Sequence, residues 1–327
     1  MGRQITGAAD DRCPQPKSPR ANVIVTALTS GGMGGNGKGS KGFLPPFLRE
    51  LRRQGYATYL CTSLNQLERM ISRKDDVILI NVFGEDQHSI SSERMSRAEA
   101  KARLVFNRSQ IGPILADKQK SLEHFTKYGV PMPPAPVTGT PIFSNERTGT
   151  ALPVKIVDTP EQADQTRYNR AMIDTVQTFE GRSYYTSVRL MCIADRIVHT
   201  MVRARPIEQN SPSVHSKDTP LNPELLKFFQ DHLINSQLHR YHELANQMHD
   251  ALGACFAAHD VLVDAQGDGV FVCEAGFKFF DETFQKHIAP IRANLPFHTL
   301  LSSPEEYARS AALIFADLVE APNDTRS

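Results

Sequence analysis

Between residues 22 and 82, continuous apolar runs alternate with amphipathic ones. Asn22–Leu28, Ala57–Cys61 and Val77–Val82 are short runs rich in β-branched and apolar residues, the pattern of buried strands. Phe47–Gln54, closed by Gly55, and Leu64–Ile71 carry apolar residues three and four apart, the stripe of a helix. This strand–helix alternation predicts a small parallel sheet. Further along, Asp117 stands as the N-cap of a helix on which Leu122 and Phe125 share a face and which Gly129 ends. Tyr241–Gly253 repeats Leu244, Met248 and Leu252 on one stripe, and Pro304–Leu318 turns Tyr307, Ala311 and Ile314 inward. Val261–Val263 and Val270–Cys273 read as strands joined by the turn residues Gln266-Gly267-Asp268-Gly269. Phe277, Phe279 and Phe280 read as core.

A chain of 327 residues has room for two or three packed lobes. Its formal charge of +1 offers neither a basic footprint for nucleic acid nor an acidic tail. The five cysteines (13, 61, 192, 255 and 273) form no C-x-x-C pair, which favours reduced thiols and a cytoplasmic location. No apolar run approaches the roughly 20 residues of a membrane span, so no membrane partner is expected. Residues 1–21 are polar, carry Pro14, Pro16 and Pro19, and read as a disordered leader without the apolar centre of a signal peptide.

Candidate chemistry concentrates at the hairpin. Asp260 precedes its first strand and Glu274 follows its second, so antiparallel pairing brings two carboxylates to one sheet end. Three readings apply: solvated hairpin ends, a calcium loop, or a magnesium site for a bound nucleotide. The calcium loop fails because its twelfth position is Ala275 and its flanks are strands. The glycine-rich stretch Ser30–Gly42 fails the P-loop pattern, since Gly39 follows Lys38 where Ser or Thr is needed. It fails the dinucleotide pattern because Pro45-Pro46 intervene before the helix, and it reads instead as a substrate-facing loop. His239, His242 and His249 lack zinc-protease spacing and fit a solvated helix face.

Asp117-Lys118, then Leu122-x-x-Phe125, then Gly129-Val-Pro-x-Pro, resembles the segment that opens the nucleotide-binding half of ATP-grasp enzymes. Tyr168–Asp174, Tyr185–Arg205 and the hairpin follow in the family's order, so the likeness spans most of 106–318 through short motifs. The resemblance implies an α/β fold (α+β lobes) of ATP-grasp type with an N-terminal Rossmann-like parallel-sheet lobe. Its parts would be 22–115 for that lobe, 116–175 for a small nucleotide lid, and 176–320 for a C-terminal lobe carrying the metal site. It implies ATP and Mg²⁺ as cofactors, with Asp260 and Glu274 on the metal and Lys118 on the phosphates. Met172, Ile173 and Asp174 would form the adenine hinge, with Asp174 on a ribose hydroxyl, and Arg189, Arg203 and Arg205 would face the transferring phosphate as catalytic cations.

Two departures stand out. Gly276 occupies the family's Asn position, and the lid lacks the Lys-Pro strand, leaving Arg147 or Lys155 to supply its charge. His215 and Lys217, in the polar loop 206–223, and Lys278, after the hairpin, are the candidate substrate-binding residues. The activity implied is an ADP-forming carboxylate–amine ligase working through an acyl phosphate on a small amino-acid-like or peptide substrate. Specialised-metabolite synthesis and intramolecular lactam closure fall within that class, and a homodimer is compatible with it. The cations answer a physical need, since two anions about 4 Å apart repel by roughly 4 kcal/mol at an effective dielectric near 20. The rival readings are a non-catalytic nucleotide-binding scaffold and a dinucleotide oxidoreductase using the glycine loop.

Overall fold

The fold is that of a computed structural model, which describes residues 13–27, 42–82, 93–148, 154–209, 211–267, 269–277, 279–280, 282–292 and 303–321. Strands β1 (Asn22–Ala27), β2 (Ala57–Cys61), β3 (Val77–Val82) and β4 (Leu104–Phe106) form a parallel sheet in the order β2-β1-β3-β4. Helices α1 (Leu44–Arg53), α2 (Leu64–Ile71) and α3 (Glu93–Glu99) connect them. The first helix starts earlier than its apolar stripe suggests. Pro45 and Pro46 do not separate it from the preceding loop; they lie in its first turn, where a missing N–H costs nothing. Most of the glycine-rich stretch lies outside the described residues.

After a turn at α4 (Gly112–Leu115), Asp117 caps α5 (Lys118–Lys127) by accepting from the N–H groups of Gln119 and Lys120. A three-stranded sheet follows, β5 (Ile142–Asn145), β6 (Lys155–Val157) and β7 (Tyr168–Ala171), with β5 in the middle. Next come β8 (Val176–Phe179), β9 (Arg182–Ile193) and β10 (Arg196–Pro206), then α6 (Pro223–Phe229), a π-helical turn at Gln230–Ile234 and α7 (Leu238–Leu252). Strands β11 (Phe256–Val263) and β12 (Val270–Gly276), helix α8 (Glu282–Ile288) and helix α9 (Pro304–Glu320) close the chain. Strands β10-β9-β11-β12 form one antiparallel sheet, with β8 added to β9. No described helix is long and apolar enough to cross a membrane.

The hairpin strands are longer than the apolar runs that announce them. Asp260 and Glu274 therefore sit inside β11 and β12, not at strand ends, because Phe256–Asp260 extends its ladder along β9. The two residues remain direct cross-strand partners, just before a register shift at Val261.

Asn107 joins the parallel and antiparallel sheets. It is 1% exposed and holds a positive φ of 57°, a conformation Asn tolerates better than most residues. Its Nδ2 donates to the Asn81 carbonyl (2.7 Å), its Oδ1 accepts from the Phe256 N–H (2.7 Å), and its own N–H reaches the Ala254 carbonyl (3.0 Å). Asn107→Ala would leave buried partners unpaired at about 1–3 kcal/mol each, with strain at the left-handed position added. We expect urea unfolding to show a loss of at least about 3 kcal/mol.

Around this joint, Phe47, Phe106, Phe256, Phe279, Phe315 and Tyr307 pack in edge-to-face and tilted pairs in a single aromatic core. His199 of β10 is 4% exposed beside Phe284 and Tyr307, and its Nε2 has no hydrogen-bond partner among the described residues. Burial pushes its pKa down to about 3, so the folded state holds it neutral. The unfolded chain protonates it near 6.5, so stability is full above that pH and falls as pH drops toward 3. Unfolding at pH 5 compared with pH 7.5 should show about 2 kcal/mol lost through this residue, a difference that His199→Leu removes.

Candidate functional site

In an antiparallel sheet, directly opposed residues share a face, as do residues two apart along a strand. One row across β10-β9-β11-β12 runs Met201, Arg189, Asp260, Glu274. The next rows on β9 and β10 pair Ser187 with Arg203 and Tyr185 with Arg205. The ladder thus sets the three arginines and both carboxylates on a single face.

Asp260 is the hub. Arg189 donates to both its oxygens through Nε (2.6 Å) and Nη2 (2.8 Å), and Arg203 does the same through Nη1 and Nη2 (both 3.1 Å). These four N–H groups fill the roughly four lone-pair sites of one carboxylate. Burial alone would raise the Asp260 pKa, but the two guanidiniums outweigh it and hold the group well below the usual carboxylate range.

Glu274 is different. Its side chain is 41% exposed, and Lys118 Nζ stands 3.9 Å from its Oε1. Surrounding protein raises its pKa, Lys118 opposes the rise, and Asp260 adds to it. It is an under-compensated anion at the edge of a cationic field. Lys118 is the reverse of a solvated helix-start charge, with a side chain only 11% exposed.

Arg205 donates to Asp218 Oδ2 (2.8 Å), which also accepts the His215 N–H (2.6 Å). Asp218 thereby folds the loop at Ser216–Asp218 onto the arginine face. Burial, with help from Arg205, pushes the His215 pKa down, whereas Lys217 is exposed away from any partner described for it. Three buried donors on this face have no partner among the described residues: Nε of Arg203, Nε of Arg205 and Oγ of Ser187. They belong to residues 3%, 8% and 4% exposed. Unpaired buried donors are rare in folded proteins and mark a place where an acceptor binds.

The hinge is partly committed. Met172 N–H donates to the Pro141 carbonyl (2.8 Å), the Asp174 carbonyl accepts from Ala265 (2.7 Å), and Asp174 Oδ1 accepts from the Val176 N–H (3.0 Å). Ile173 lies between them outside any strand. Arg147 turns back to the helix cap, with Nη2 2.9 Å from Asp117 Oδ2. Lys155 is exposed on β6, an edge strand of the small sheet. Neither reaches the carboxylates by any contact described. Lys278 lies outside the described residues. A Cβ added at Gly276 would meet nothing within 4 Å, so the position is open to a longer side chain.

The residues suit a magnesium ion better than a protein-caged metal. No group of three or more His, Cys, Asp or Glu able to hold a metal occurs among the described residues. Two adjacent carboxylates with one half-exposed are compatible with an ion that keeps several waters.

The chain is similar in layout to several solved structures. D-alanine–D-alanine ligase from Bacillus anthracis, complexed with ATP, aligns at 12% identity and TM-score 0.49, covering 90% of this chain and 96% of that one. A RimK domain protein ATP-grasp from Sphaerobacter thermophilus aligns at 15% and 0.45, covering 89% and 98%. N5-carboxyaminoimidazole ribonucleotide synthetase from Thermotoga maritima aligns at 12% and 0.43, covering 86% and 78%. No family model and no curated protein matches. At these identities and scores the likeness assigns no activity, and the functional reading stands on the residues of this chain.

Sequence reasoning missed Tyr168 and Arg170 of β7. Tyr168 is buried, with Arg170 Cζ 5.6 Å from its ring centroid, and burial raises its pKa against the opposing effect of Arg170. The alternation Tyr168-x-Arg170 on a strand is the only local signal for either.

Proposed function

We propose that the protein is an ATP-grasp-type, ADP-forming ligase that joins a carboxylate to an amine. The observation that carries the reading is the set of unpaired donors on Arg203, Arg205 and Ser187 beside an under-compensated Glu274. That juxtaposition suits a polyanion accompanied by a divalent cation. Lys118 and the arginines offset the repulsion between a substrate carboxylate and the γ-phosphoryl. Mg²⁺, held by Glu274 with Asp260, would draw charge from the phosphates. The carboxylate oxygen bonds to phosphorus as the bond to ADP breaks. The amine nitrogen then bonds to the acyl carbon as the carbon–oxygen bond to phosphate breaks, and the departing phosphate carries off the amine proton.

A phosphate on the unpaired donors would lie beside the guanidiniums that hold Asp260, and by drawing on them it would free Asp260 toward the cation. Ile173 and the Met172 carbonyl would serve adenine. His215, whose backbone Asp218 holds near Arg205, would meet an amino-acid-like substrate, in peptide or lactam formation. A second reading, a nucleotide-binding protein without catalysis, is favoured by Gly276 and by the closed coordination of Asp260. Calorimetry with ATP and Mg²⁺, followed by ADP release with a panel of amino acids, separates the two. The ligase reading expects both signals, binding alone supports the second, and neither overturns both.

A further inference from the structure

Arg205 is gripped at one end only. Its Nη2 donates to Asp218 Oδ2 (2.8 Å), and the two side chains are 9% and 10% exposed. Arg189 meets Asp260 differently, through Nε and Nη2 together, the two-donor fork that a guanidinium commonly presents to a carboxylate. Asp218 takes a single donor from Arg205 and leaves Nε buried, with no partner among the described residues. A pair kept only for stability would gain by closing the fork.

Asp218 is a fixed post. It ends the short turn Ser216–Asp218, where its N–H donates to the His215 carbonyl (2.8 Å) and its Oδ2 accepts the His215 N–H (2.6 Å). Thr219 Oγ1 donates to the Ser216 carbonyl of the same turn (2.8 Å), and helix α8 packs against it. Arg205 is thus held at its Cα by β10 and at its far end by this turn. The rotamer freedom that a ligand would otherwise have to remove is already gone in the resting protein. Its free Nε lies on the same sheet face as the unpaired Nε of Arg203 and Oγ of Ser187.

Resting on the nucleotide reading above, we propose that Asp218 is a positioning residue for the phosphate site. It holds the Arg205 guanidinium so that Nε meets a phosphoryl oxygen, and it ties the loop at His215 to that contact. Asp218 acts through the arginine and not on the substrate.

The sign of one substitution separates this role from its rivals. A carboxylate repels phosphate, so on charge alone the removal of Asp218 strengthens ATP binding; on positioning it weakens it. Calorimetry on the full chain with Mg²⁺ should find ATP affinity about tenfold lower in Asp218→Ala, with AMP affinity within about twofold of wild type. Arg205→Ala should show the same ATP-selective loss. The double variant should be no worse than Arg205→Ala, because the carboxylate has no effect once its guanidinium is gone. Asp218→Asn keeps the volume and an acceptor oxygen, and should give a smaller loss in the same direction if the alanine variant folds poorly. Unchanged or tighter ATP binding in the Asp218 variants would overturn the proposal, as would additive losses in the double variant. So would a parallel loss for ATP and AMP with a lowered urea midpoint, the mark of a purely structural residue. Wild-type protein that binds no ATP removes the nucleotide reading and Asp218 with it, whereas wild-type binding that Asp218→Ala leaves intact refutes the positioning role alone.

Discussion

Glu274→Gln is expected to reduce ADP formation by roughly 10²–10³-fold or more while leaving the fold intact. The side chain is 41% exposed and its carboxylate form is disfavoured by its surroundings, so a neutral isostere removes an electrostatic liability of the resting protein. Urea unfolding should find the variant at least as stable as the wild type, the pattern of a group kept for function at a cost in stability. The raised pKa adds a pH signature. Metal binding needs the anion, so Mg²⁺ affinity should weaken as acid protonates Glu274, with the onset above that of an ordinary glutamate. Retention of full ADP-forming activity in the variant would remove the metal from Glu274 and the ligase reading with it.

Asp260→Asn is expected to act on stability first. Asp260 neutralises Arg189 and Arg203, whose side chains are 14% and 4% exposed, and an amide can satisfy neither guanidinium fork in full. Removing one partner of a buried ion pair costs about 3–5 kcal/mol because the remaining charge is left uncompensated. Denaturant unfolding at neutral pH should show a loss in that range, together with lost ATP turnover. A loss under about 1 kcal/mol would mean that the arginines find other partners, and that Asp260 belongs to the ligand site alone. The pair of variants therefore separates the two carboxylates: on the ligase reading Glu274 serves the ligand alone, whereas Asp260 also holds the resting face together.

The parallel sheet was legible because its signals are local. Ala57–Cys61, Leu64–Ile71 and Val77–Val82 coincide with β2, α2 and β3 residue for residue. Each is bounded by turn or cap residues that stop the element where the apolar pattern stops. The hairpin turn and the Asp117 cap were legible for the same reason. The π-helical turn at Gln230–Ile234 was not, since an i→i+5 ladder has no composition of its own. The partners of Asp260 were beyond local reading, because Arg189 and Arg203 lie 71 and 57 residues away and only the sheet register brings them together. Tyr168 and Arg170 were missed because a Tyr and an Arg on a short strand look like ordinary edge chemistry until their burial is known.

The Asn107 clasp has a bearing on how a ligand would get in. By bonding across from β4 to the start of β11, it ties two of the three sheets into a single slab. Passage to Glu274 then falls to the remaining one, the three-stranded flap. Where β7 leaves that sheet, the Asp174 carbonyl accepts from the Ala265 N–H in the β11–β12 turn. A ligand bound between the slab and that sheet would meet one face fixed by the clasp and one tied only through local backbone bonds, so adjustment to its size is expected on the side of the small sheet.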